Sequence, residues 1–200
     1  MADDLYEARN SIYCYPGTDV LINKLNIKDN QLLSEAERKI VLTKSYELRK
    51  NSKIGDFDLN HFLEIHKFLF EDIYPFAGKF RNENIAKGYF SFAEWQYIEP
   101  EIKRLFDKLK AENYLQGRSR EELVKGLAYY LSELNVLHPF REGNGRTIRE
   151  FIRELAFFNG YVLDLQNTTS EELLKASVDS IADTKELEET LNRCLIKTDF

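Results

Sequence analysis

The segment HPFREGNGRTIREF, His138 to Phe151, brings together side chains that could do chemistry as a set. It holds one of the chain's 3 histidines, an acid, two glycines around an asparagine, and two arginines three residues apart. His138 is the group in this loop that can accept a proton near neutral pH, which makes it a candidate general base. Gly143, Asn144 and Gly145 let the backbone approach a ligand closely and turn several N–H groups toward it, as glycine-rich loops do for phosphate. Arg146 and Arg149 fall in the first turns of the helix that follows. The helix dipole already presents positive charge there, so an anion is needed to offset them. Glu142, pointing at a polyphosphate, could ligate a hard divalent cation, since Mg²⁺ prefers one or two carboxylates plus phosphate oxygens. Such a set suits the transfer of part of a nucleotide to a hydroxyl.

Each residue taken alone also fits a plainer role. A His-Pro-Phe after a helix can be a packed corner, and an arginine stripe can be salt-bridged to neighbours such as Glu150 and Glu154. It is the conjunction that points to a site. The segment is not a P-loop, for it lacks the GK[ST] ending and a preceding strand. His61 and His66, in an apolar helix, read as structural.

The elements that must position the loop are mostly helical. Residues 120–136 carry Leu123, Leu127, Leu131 and Leu134 behind a Ser119/Glu122 capping box, and His138-Pro139 ends that pattern. A new helical period begins near Gly145, with Ile148, Phe151, Ile152 and Leu155 on one face and Arg146, Arg149 and Arg153 on the other. Ser34 with Glu37 and Thr169 with Glu172 predict two further capped helices, and Asp58 an N-cap for LNHFLEIHKFLFEDIY. FRNENIAKGYFSFAEW predicts two short strands on either side of Lys87 and Gly88. The expected fold is mainly α, a helical bundle carrying one β-hairpin.

Composition narrows the class. With 43% hydrophobic residues in 200, the chain can bury a core of its own, and the length suits one domain. A net charge of −6 argues against general affinity for nucleic acid or an anionic membrane. No signal-peptide pattern and no uncharged apolar run of spanning length is present, which predicts a cytoplasmic protein. Cys14 and Cys194, without CxxC spacing, fit free thiols in a reducing compartment.

His138-Pro-Phe140-Arg-Glu142-Gly-Asn144-Gly145-Arg146-Thr-Ile-Arg149 resembles the Fic family signature HxFx(D/E)GNGRxxR, and LFEDIYPFAGKFRNENIAKG is similar to the segment that forms the family's flap. The resemblance implies a Fic-type helical bundle with a β-hairpin flap, its core at about 33–165 and the flap at about 80–98. It implies AMP transfer from ATP, with Mg²⁺ or Mn²⁺, to a Tyr, Thr or Ser hydroxyl of a protein, the chain itself included, and a homo-oligomeric state. By the same resemblance His138 deprotonates the target, Glu142 holds the metal, and Gly143, Asn144 and Gly145 line the phosphate pocket. Phe140 anchors the loop, Arg146 meets the β-phosphate, Arg149 meets the γ-phosphate, and Lys87 closes over the nucleotide. Glycine at 145, where the phosphorylating Doc branch has lysine, favours AMP transfer. Thr184-Lys-Glu-Leu-Glu188 matches the first five positions of the family's inhibitory (S/T)xxxE(G/N) motif, with Glu189 departing at the sixth. That match implies a helix at about 183–197 whose Glu188 pairs with Arg149. A nucleotide-binding module without turnover, and an enzyme that removes AMP, are the alternatives the same residues allow.

Overall fold

In a computed structural model the described residues are 11–51, 56–87 and 90–198. The helices are α1 (Asn30–Asn51), α2 (Leu59–Phe70), α3 (Trp95–Ala111), α4 (Arg120–Leu137), α5 (Asn144–Phe158), α6 (Ser170–Asp179) and α7 (Lys185–Cys194). Two small antiparallel pairs accompany them: β1 (Ala86–Lys87) with β2 (Phe90–Ser91), and β3 (Tyr161–Leu163) with β4 (Leu195–Lys197). Among the described residues no helix is long and apolar enough to cross a membrane.

The capping signals explain the starts of α2, α4 and α6. Ser119 accepts from the Glu122 N–H while Glu122 reaches back, and Thr169 with Glu172 repeats the device at α6. Asp58 caps α2 through the His61 N–H at 2.8 Å. Each such cap contributes about 1 kcal/mol. The Ser34/Glu37 pair is a correction. Asp29 opens α1 instead, its carboxylate accepting from the Leu32 N–H at 2.9 Å, so Ser34 lies inside the helix and Glu37 is released for another task.

Two further expectations change. The proposed terminal helix over 183–197 ends at Cys194, because Leu195–Lys197 pair with Tyr161–Leu163 in a sheet that local patterning does not reveal. The proposed flap region over 80–98 holds a hairpin of four described strand residues and then passes into α3 at Trp95. The turn at Gly88 lies outside the described residues.

One buried apolar cluster runs from Cys14 to Leu195. Phe62, Phe106, Phe140 and Phe151 meet at its centre, with ring centroids 5.4–5.7 Å apart. This aromatic floor supports α4 and α5, the two helices joined by the His138–Gly143 loop.

Candidate active site

The loop is built to hold one shape. α4 ends on His138 in the left-handed region (φ 45°), a conformation costing about 1 kcal/mol or more for a residue with a Cβ. Arg81 offsets that cost. Its guanidinium, fully buried, donates to the carbonyls of Leu137 and His138 and also to those of Glu83 and Ala93, which flank the hairpin on either side. Phe140 is wholly buried and stacks on the His66 ring at 3.7 Å. The Asn144 amide closes the loop on itself, accepting from the Phe140 N–H at 2.8 Å and donating to the Phe140 carbonyl at 2.7 Å. Asn144 therefore fixes the shape of the loop.

Gly143 is where the loop turns into α5, at φ 81°. A Cβ there would lie 2.3 Å from the Phe70 ring. Gly143→Ala is expected to cost about 2–4 kcal/mol from the left-handed backbone and the overlap together. Urea unfolding would read this as a lower midpoint, and an unchanged midpoint would refute the packing account.

The charges sit where an anion would be welcome. The N–H groups opening α5 lack intrahelical partners, as at any helix start. Arg146 and Arg149 follow one turn apart. Arg149 keeps solvent access but is walled by protein, and burial followed by the neighbouring Arg146 charge lowers its pKa. No carboxylate pairs with it among the described residues. Gly145 keeps that space open, since a Cβ there would stand 3.0 Å from Arg149 Nη1. Arg146 is held by Glu37, with Nη2 2.5 Å from the carboxylate, and by Glu142 at 3.4 Å. Burial raises the Glu142 pKa, and the Glu37 charge adds to the effect.

His138, just before this helix start, is buried and neutral. Its Nδ1 lies 3.0 Å from the Asn135 carbonyl, which can only accept, so Nδ1 carries the proton and Nε2 the lone pair. Burial pushes its pKa to about 3, helped by the Arg81 and Lys87 cations, and Phe92 stacks on its ring at 3.8 Å. The Lys87 influence places the hairpin close to the base.

The structure thus gathers His138, Glu142, Gly143, Asn144, Gly145, Arg146, Arg149 and Lys87 about one loop and the hairpin beside it. It does not gather Glu188. That carboxylate accepts from the Thr184 hydroxyl one turn back at 2.6 Å, and its charge acts on Lys125 near the start of α4, away from the His138 end. The expected Glu188–Arg149 pair is corrected accordingly: Leu187, Leu191 and Cys194 bury α7 against α4 in a position that keeps Glu188 from the loop. Arg153 is likewise structural, paired with Glu150 and Glu154.

Sequence reasoning missed Glu37, whose spacing from Ser34 imitated a capping box, and Arg81, which carries no local signal. It also left His66 outside the site, although that ring props the loop: Nδ1 accepts from the Gly78 N–H, so Nε2 holds a proton and donates to the Glu142 carbonyl at 2.9 Å.

Among the described residues no cluster of three or more His, Cys, Asp or Glu side chains could cage a metal. One carboxylate at a helix start, with a second nearby, has the chemistry to fit a hard cation whose other ligands would be waters and phosphate oxygens.

The Fic/DOC family model matches residues 56–156. The chain is 41% identical over 188 residues to the protein adenylyltransferase VbhT of Bartonella schoenbuchensis, covering 94% of this chain and 39% of that one. It is 38% identical to the probable protein adenylyltransferase y4lH of Sinorhizobium fredii, covering 88% of this chain and 91% of the relative. The crystal structure of BepC from Bartonella tribocorum with bound AMPPNP superposes with a TM-score of 0.86 at 27% identity, over 94% of this chain and 97% of that one. With its loop complete and its fold shared, the chain belongs to the Fic/DOC family, among the enzymes of its adenylyltransferase branch.

Proposed function

We propose that the chain transfers AMP from ATP to a Tyr, Thr or Ser hydroxyl of a protein and releases pyrophosphate. The observation that carries the reading is a neutral His138 beside a helix start that holds two arginines, one of them without a carboxylate among the described residues. His138 Nε2 takes the hydroxyl proton as the oxygen attacks the α-phosphorus. The bond from that phosphorus to the bridging oxygen breaks, and its electron pair leaves with the pyrophosphate. Arg146 and Arg149 sit where the departing charge grows, and such prearranged donors act most strongly at that moment. Glu142 would hold Mg²⁺, which when bound would neutralise phosphate charge. Lys87 and the hairpin would cover the nucleotide and present the target chain. The buried free thiols of Cys14 and Cys194 fit work in a reducing compartment such as the cytoplasm.

Incubation with Mg²⁺ and either α- or γ-³²P-ATP tests the reading, with this chain or a lysate as acceptor. Label on protein from the α-position alone is expected, and mass spectrometry would place it on a hydroxyl. Label from the γ-position alone would identify a kinase instead.

A further inference from the structure

We propose that Glu37, on α1 and outside the signature, is a positioning residue for AMP transfer that holds Arg146 in line for the departing phosphates. The proposal rests on the adenylyltransfer reading above.

Arg146 stands in a place it would not choose unaided. It lies in the first turn of α5, where the dipole is unfavourable to a cation, and Arg149 one turn on repels it. Three contacts box it in. Its guanidinium carbon lies 4.8 Å over the Phe70 ring, Glu142 approaches at 3.4 Å, and Glu37 at 2.5 Å. The contact with Glu142 is the longer one, and in the reading above that carboxylate also serves the metal. Glu37 has no second employment at the phosphates. Its other oxygen accepts from the Tyr74 hydroxyl, and Tyr74 is itself buried and stacked on Phe76 at 4.7 Å. The carboxylate is thus fixed from behind before it fixes the arginine. Glu37 is 12% exposed and Arg146 30%, so the pair is largely shielded while the guanidinium still fronts the cleft.

This arrangement separates two effects. A fixed guanidinium raises the rate, because reorientation is already complete when charge develops on the pyrophosphate. A carboxylate beside it weakens the ground-state pull on phosphate. Glu37→Gln should therefore lower kcat for AMP transfer by about 10–100-fold without raising the KM for ATP. A KM increase at unchanged kcat, or no change in either, would overturn the proposal. A thermal melt checks folding. If Glu37→Gln fails to fold, Tyr74→Phe keeps the carboxylate but removes its anchor, and a smaller kcat loss in the same direction is expected; unchanged kcat there would count against the proposal.

Binding supplies an arm that does not depend on turnover. ADP affinity, measured by calorimetry on the whole chain, should change about threefold or more on Glu37→Gln, and not at all when Arg146 is already Ala. An equal change in both backgrounds would show that Glu37 does not act through Arg146. Should the wild-type chain bind ADP but transfer no AMP, the functional reading fails while this coupling still decides the role of Glu37.

Discussion

Replacing His138 by Gln should reduce AMP transfer by about 10²–10⁴-fold, the range a positioned general base supplies, while ADP binding stays within a few fold of wild type. The loop dictates this split. In the proposed mechanism the start of α5 and its arginines take the phosphates, and they do not need the imidazole. The base has one defined tautomer, because Asn135 offers Nδ1 only an acceptor. Its resting pKa near 3 guarantees the neutral form at any physiological pH, though a base so weak is a poor proton acceptor. The nucleotide corrects that weakness. Arg81 and Lys87 contribute to lowering the value, and a bound triphosphate sets negative charge against theirs, raising the proton affinity when it is needed. Incorporation of α-label per minute measures the loss; a Gln variant as fast as wild type would remove His138 from the mechanism.

The second large effect is acid lability. Burial holds both His66 and His138 near pKa 3, against about 6.5 in an unfolded chain. Between those values the unfolded state binds protons that the folded state refuses, so stability falls as pH drops from about 6.5 toward 3, and neither group matters above that window. Each contributes a slope of about 1.4 kcal/mol per pH unit, so two units of acidification cost about 5 kcal/mol for the pair. Glu142 opposes this in part, since its raised pKa lets the folded state take a proton earlier. For His66 the reason is visible in its bonds: protonation would turn Nδ1 into a donor facing the Gly78 N–H. Urea midpoints at pH 7 and pH 4.5 measure the loss. In His66→Asn the dependence should roughly halve, even though the variant starts less stable; an unchanged slope would refute the assignment.

What the sequence made legible depended on distance along the chain. The loop, its arginines and the face of α5 could be read because glycine, asparagine and helical period act within a few residues. Two of three capping boxes held for the same reason. The third did not, since Asp29 competed for the helix start and Glu37 found its partner more than a hundred residues away, at Arg146. Glu188 fitted a motif by spacing, but spacing cannot tell which end of α4 a helix will cover. That was settled by where Leu187 and Leu191 could be buried, a property of the assembled core. Arg81 was illegible altogether, because its partners are backbone carbonyls, and every residue has one.

Arg81 also has a mechanical consequence. One guanidinium grips the carbonyls of Glu83 and Ala93, on either side of the hairpin, and that of His138. With the Phe92 ring stacked on His138 as well, hairpin and imidazole are tied together, so a load placed on one is delivered to the other. In the proposed reaction, a target strand that shifted the hairpin would shift the His138 backbone with it.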